Sequence, residues 1–168
     1  MREQKLYPKG FTFIEILLVV GIMGILLVAS YPSIMNTLET RGLENTAREI
    51  QTTLQQAKFQ SVKYKLNHRI QFDNSQGYWV YYLLRETSHD NWVEVPQFLR
   101  RSIPGKYVIA INLPNQRVDF SPLGLVLNYN FGQNSVSLQS TLLQRKGQPS
   151  TRTLNIFAGG SIQYVKSS

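Results

Sequence analysis

From Phe11 to Ala29 the chain is almost unbrokenly apolar, and one carboxylate, Glu15, stands inside the run. At 1.5 Å per residue a helix over this stretch spans about 28 Å, close to the ~30 Å hydrocarbon core of a bilayer. The segment therefore reads as a transmembrane helix. A charged side chain at the centre of such a helix costs roughly 2.5 to 3.5 kcal/mol on insertion scales, so an intramembrane carboxylate is read as a functional residue with a partner. The lesser role for Glu15 is to mark the interfacial end of the helix by snorkelling to the headgroups. Arg2, Lys5 and Lys9 precede the run against the single acid Glu3. Excess Lys and Arg stays cytoplasmic, which places the remainder of the chain outside. An ordinary secretory signal peptide shares the basic start, and Val28-Ala29-Ser30 has the small residues of its cleavage site. Against that alternative, Glu15 interrupts the run near its start and Gly10 stands before the run rather than after it.

Lys9-Gly10-Phe11-Thr12-Phe13-Ile14-Glu15 resembles the cleavage and methylation signature of type IV pilins and type II secretion pseudopilins. The resemblance implies that a prepilin peptidase cuts between Gly10 and Phe11 on the cytoplasmic face, that Phe11 is N-methylated, and that the hydrophobic helix stays on the mature protein. It also assigns Glu15 to pairing with the N-terminal amine of a neighbouring subunit during filament assembly. The chemistry is consistent with both assignments: Gly10 has no side chain to obstruct a protease, and an ion pair is far stronger in a low-dielectric surround than in water. Gly21, Gly24 and Pro32 weaken the helix, Gly by about 1 kcal/mol relative to Ala and Pro by removing a hydrogen bond. Pilins carry a Pro at the position of Pro32, and the resemblance implies a hinge between Gly24 and Pro32. The competing reading is that Gly21 and Gly24 permit close contact between membrane helices. Both imply partner helices.

The chain has 168 residues, which suits one domain plus an anchor, and it has no Cys. That excludes disulfides, thiolate metal sites and cysteine nucleophiles. The formal charge is +8; without residues 1–10 the chain keeps 15 basic and 9 acidic residues. Solubility or attraction to anionic headgroups accounts for such a charge without a specific ligand.

Beyond Pro32, Leu43, Ala47, Ile50, Leu54, Ala57 and Ser61 recur in steps of four and three, one face of a continuing helix. Arg41, Glu44, Arg48, Thr52 and Gln55 form the opposite, polar face. After Leu66 the pattern changes to short runs rich in aromatic and β-branched residues, punctuated by Pro and Gly, as expected of antiparallel strands. Expected strands are Arg69 to Phe72, Tyr78 to Leu84, Trp92 to Val95, Tyr107 to Asn112, Arg117 to Phe120, Leu125 to Phe131, Ser135 to Leu143, Arg152 to Phe157 and Ser161 to Val165. Asp73 to Gly77 reads as a hairpin connection, Ser121-Pro122-Leu123-Gly124 as a β-turn, and Gly159-Gly160 as a two-residue hairpin loop.

This second half resembles, more weakly, the globular domain of H-type type II secretion pseudopilins and FimT-like minor pilins. The carriers are Ala57-Lys58 to Val62, Phe72-Asp73 leading to Gly77, Phe120 to Gly124, and Gly159-Gly160. The chain lacks the C-terminal cysteine pair of major pilins and an obvious calcium loop of major pseudopilins, which argues for a minor subunit. The expected fold is α+β and pilin-like, a long N-terminal helix with a transmembrane first half, packed on a C-terminal antiparallel β-rich head. Its expected divisions are a leader at 1–10, a transmembrane helix at 11–31, an external half-helix at 32–66 and the head at 67–168.

The chemistry-bearing residues form no catalytic set. His68 and His89 stand in separate segments, Asp73 and Asp90 are turn-type acids, and Ser121 and Ser161 lie outside any nucleophile elbow. The expected protein is a non-enzymatic minor pilin or pseudopilin without metal or cofactor. Its expected partners are prepilin peptidase, other pilin subunits, inner-membrane lipid and a secreted protein. The alternative is a DNA-binding minor pilin of a competence pilus. Arg145, Lys146, Arg152 and Lys166 form one basic stretch and Arg100, Arg101 and Lys106 another, with Tyr129, Phe131, Phe157 and Tyr164 near the first in sequence. Lys and Arg hold phosphates while bases stack on aromatics. Against this, strand aromatics usually fill cores, and surface Lys and Arg keep edges soluble. A membrane-tethered monomeric sensor is a more distant alternative.

Overall fold

The computed structural model describes residues 11–167, so the expected leader, with Gly10, lies outside the described residues. The architecture is α+β: a long apolar N-terminal helix followed by antiparallel sheets. Helix α1 runs Phe13–Tyr64, and the chain divides into two units between Thr37 and Leu38. In the first unit Pro32 does not end the helix. Proline lacks the N–H that would bond Val28, and Ser30 and Thr37 instead donate their hydroxyls back to Leu26 and Ser33 carbonyls at 2.8 and 3.0 Å.

In the second unit the periodic stripe is the core face of α1. Leu43, Ala47, Ile50, Leu54, Ala57 and Ser61 are all fully buried, and Arg41, Arg48, Thr52 and Gln55 on the opposite side are exposed, with Glu44 half-buried. Small Ala47, Ala57 and Ser61 admit close approach by the strands. The helix stops two residues before the expected Leu66, because Lys65 adopts the left-handed conformation (φ 57) that terminates helices.

Two antiparallel sheets complete this unit. The first holds β1 His68–Asp73, β2 Val80–Ser88, β3 Asn91–Glu94, β4 Arg101–Ser102 and, from further along the chain, β6 Arg117–Phe120; its order is β3-β2-β1-β6, with β4 added to β2. The second holds β5 Tyr107–Asn112, β7 Ser135–Ser140, β8 Thr151–Ile156 and β9 Ile162–Ser167, in the order β5-β7-β8-β9. Strict alternation along β7 and β8 sends Val136, Leu138, Leu154 and Ile156 inward to join Ile70, Phe72, Leu83, Val118 and Phe120 in one core with the α1 stripe.

The hairpin expected around Asp73 to Gly77 is present: Asp73 pairs with Val80, Asp73 Oδ1 accepts the Ser75 N–H at 2.8 Å, and Gly77 takes φ 80. Three expectations are corrected. Leu125 to Phe131 is not a strand: the Val126 N–H donates to Ala158 O in the β8–β9 connection while the Leu127 N–H donates to Asp119 O of β6, so successive donors go to different segments and no ladder forms. Ser135 to Leu143 ends as a strand at Ser140, whose hydroxyl accepts the Leu143 N–H and caps a short helix, α2 Thr141–Arg145. The β8–β9 connection runs from Phe157 to Ser161, longer than the expected two-residue loop, and is closed by Phe157 N–H to Ser161 O at 3.0 Å. Gly160 is required there, since its φ is +70 and a Cβ would lie 2.0 Å from Gly124 O.

Candidate functional site

The first turn of α1 is built around Thr12 and Glu15. The Thr12 N–H donates to Glu15 Oε2 and the Glu15 N–H donates to Thr12 Oγ1, both at 3.3 Å. This reciprocal pair is a capping box, in which the residue three positions into the helix satisfies the amide of the capping residue. Glu15 therefore has a local task in a subunit standing alone. A carboxylate has about four acceptor positions, so the box leaves capacity for a further donor. The Thr-x-x-Glu spacing ahead of an apolar run is a helix-start signal in its own right, one that the anomaly of a charge in a membrane segment overshadows.

From Phe13 onward no residue of the apolar window long enough to cross a membrane is buried within the chain. Phe11 is 80% exposed and Leu27 71% exposed. Exposed apolar surface of this extent demands lipid or neighbouring helices. A Cβ placed on Gly21 or Gly24 would meet nothing within 4 Å, so no contact inside the chain calls for glycine there. Residues 24–32 are helical throughout.

In the second unit the two basic stretches are dispersed. Arg152 is fully buried on the inner face of β8, where its Nη1 donates to Ser150 Oγ at 2.7 Å, whereas Arg145 and Lys146 are exposed on α2. Burial withdraws Arg152 from any surface contact with a phosphate, so the three residues do not form one exposed patch. The charge of Arg152 instead contributes, after the hydrogen bond from Arg48, to holding the Glu44 carboxyl below its ordinary range. Arg100 is paired with Glu94 and lies over the Tyr82 ring at 4.3 Å, and Arg101 is paired with Glu49. Of the aromatics near the first stretch, Phe131 is 90% exposed, Tyr129 packs edge-on against it, and Tyr164 lies beneath Arg48.

Sequence reading missed Glu39. It falls four residues before Leu43 and so continues the buried stripe, a signal available from periodicity. Its carboxylate accepts Lys106 Nζ at 2.9 Å and Ser140 Oγ at 2.7 Å, tying α1 to the β5 edge and the end of β7. Burial pushes the Glu39 carboxyl up, but the hydrogen bonds from Lys106 and Ser140 outweigh it and the net direction is down. The stabilisation is therefore complete above the ordinary value of 4.5 and is lost as pH falls through the lower folded value. Thermal unfolding of the Glu39→Gln variant at neutral pH should show a loss of about 1 kcal/mol, and the gap to wild type should narrow as pH falls below 4.5. A gap that persists at low pH would contradict the charged role.

Residues 7–31 match the model of the prokaryotic N-terminal methylation motif. The match covers only the N-terminal segment; it supports the pilin and pseudopilin superfamily, with a methylated N-terminus and membrane anchoring. No curated protein and no solved structure matches the chain.

Proposed function

We propose that the chain is a minor pilin or pseudopilin of a type II secretion system or type IV pilus. Prepilin peptidase cuts between Gly10 and Phe11, Phe11 is methylated, and residues 11–31 hold the subunit in the inner membrane with the head outside the cytoplasm. Extraction into a short filament then trades lipid for neighbouring helices around the same apolar surface. One observation carries the reading: the helix that begins inside the methylation motif buries no residue of its apolar window within the chain. Glu15 pairs with a neighbour's N-terminal amine, and the stretch from Gly24 to Pro32 yields when subunits pack. The divisions at 1–10, 11–31, 32–66 and 67–168 follow from that life cycle.

DNA uptake is disfavoured by the dispersal of the basic residues, since Arg152 is buried and Arg100 and Arg101 are paired with carboxylates. Phosphate binding releases counterions, so a DNA-binding head would lose affinity steeply between about 50 and 200 mM salt. With the full chain in detergent micelles, titration with duplex and single-stranded DNA is expected to give nothing tighter than the non-specific range of about 10⁻⁴ to 10⁻⁶ M. Sub-micromolar, salt-sensitive binding that is lost on changing Arg145 and Lys146 together to Gln would overturn this in favour of DNA uptake.

A further inference from the structure

At the C-terminal end of α1 the space between helix and first sheet is not filled by apolar side chains. It holds a cavity of about 350 Å³, the low end of the size range of small-ligand pockets, lined on its polar side by Gln60, Tyr64, His68, Arg85 and Gln97. The strand register explains the polar set. His68 of β1 lies directly opposite Arg85 of β2, so both side chains leave the sheet on the face that sends Ile70, Phe72 and Leu83 into the core. Leu66, Val95 and Pro96 supply an apolar wall.

No carboxylate lines this cavity. Arg48, Arg69, Arg100, Arg101, Lys106 and Arg117 each sit beside a carboxylate, whereas Arg85 belongs to no ion pair among the described residues. His68 has only 1% of its surface exposed, and its Nδ1 lies 3.0 Å from Leu66 O. A carbonyl oxygen only accepts, so Nδ1 carries the hydrogen and Nε2 becomes a donor only when the ring is charged. The geometry points to a binding site for a carboxylate on a short apolar stem: Arg85 takes the carboxylate through its planar fork, His68 adds the second positive group, and the stem lies along Leu66, Val95 and Pro96. Before His68 takes up a proton the site carries the single positive charge of Arg85, which matches one carboxylate rather than a phosphate dianion.

The site couples binding to proton uptake. The titratable or charged groups facing His68 are Tyr64 from α1, with ring centroids 6.5 Å apart, and Arg85 from β2; the segment after β3 contributes the neutral Gln97. Within the chain alone, burial pushes the imidazole below its ordinary value of 6.5 and Arg85 adds to that, against the hydrogen bond to Leu66. A bound carboxylate reverses the balance, so affinity rises as pH falls while the ligand itself, with an ordinary value near 4.3, stays ionised down to about pH 5.5.

The test is calorimetric titration of the full chain in detergent micelles with 4-methylpentanoate, and with the peptide acetyl-Ala-Ala-Leu bearing a free or an amidated C-terminus. The acid and the free peptide are expected to bind with affinity several-fold higher at about pH 5.5 than at pH 7.5. Tighter binding of the free peptide assigns the site to a chain terminus, and equal binding assigns it to a small acid. Arg85→Gln, at an exposed position, should weaken both by at least about tenfold, the loss of a charge-assisted hydrogen-bonded pair. His68→Gln should flatten the pH dependence. Binding of the amidated peptide equal to that of the free one, inorganic phosphate binding more tightly than the acid, an unaltered affinity in Arg85→Gln, or no heat from either acid up to about 10 mM would each overturn the assignment.

Discussion

Replacing Glu15 with Ala, and separately with Gln, is expected to leave membrane insertion intact while reducing incorporation into filaments by at least about tenfold, because each removes the charge proposed to pair with a neighbour's amine. The two variants separate the tasks that meet at this side chain. Glu15 closes the capping box with Thr12, a contribution of about 1 kcal/mol to the helix start, and Gln retains an oxygen able to accept the Thr12 N–H. Crosslinking yield between subunits measures incorporation. Wild-type yield from Glu15→Gln with loss only in Glu15→Ala would reduce the residue to a cap. Wild-type yield from both would leave Glu15 without the assembly role. Thr12→Val, which breaks the box without touching the charge, should assemble nearly as well as wild type.

The second large effect is expected in the head, at Asp119→Ala. On the outer face of the first sheet, Arg69 Nε and Nη2 donate to the two oxygens of Asp119 at 2.6 and 2.8 Å, and Trp92 covers the guanidinium at 3.7 Å. Both side chains are about nine-tenths enclosed, and Arg117 Nε approaches the same carboxylate at 3.5 Å. Removing the acid leaves a buried guanidinium without its partner, which costs about 3–5 kcal/mol, a large fraction of the stability of an ordinary domain. The Arg48–Glu44 pair at the surface provides the comparison, since Glu44→Ala should shift the midpoint far less. Denaturant unfolding followed by the fluorescence of Trp79 and Trp92 together reads both. Replacing the pair together, Arg69→Met with Asp119→Leu, should recover much of the loss, because the one cation left without this carboxylate is Arg117, whose side chain is about a third exposed. An Asp119→Ala midpoint indistinguishable from wild type would show that the pair contributes nothing.

The anchor helix and the core face of its continuation are legible because each rests on a one-dimensional pattern, an apolar run and a 3.6-residue period. Tyr107–Asn112 and Arg117–Phe120 are legible to the residue, since turn residues bound them on both sides. Leu125 to Phe131 has strand composition but splits its hydrogen bonds between Asp119 and Ala158, a tertiary fact that no local pattern carries. Arg101–Ser102 escapes sequence reading because a two-residue strand has no period at all. The same division runs through the functional residues. Glu15 stands out because a charge in an apolar run is anomalous, whereas Glu39 hides because a charge on an amphipathic helix is ordinary until its partners Lys106 and Ser140 come from distant strands. Arg152 reads as a surface cation by its charge, although the two-residue alternation of β8 already sets it on the face of Leu154 and Ile156, which the structure shows to be the buried one. Pairing of His68 with Arg85 across β1 and β2 likewise needs the sheet.

The central claim is that the N-terminal apolar helix is kept on the mature protein after cleavage at its cytoplasmic edge. Intact-mass and N-terminal peptide analysis of the membrane-extracted protein, produced in a host with active prepilin peptidase, tests it most directly. The predicted product begins at Phe11, carries one methyl group on its amine, and retains the helix through Pro32; a Gly10 substitution to a bulky residue should leave the precursor inserted but uncut. A mature N-terminus at Tyr31, or an intact Met1 in that host, would contradict the account.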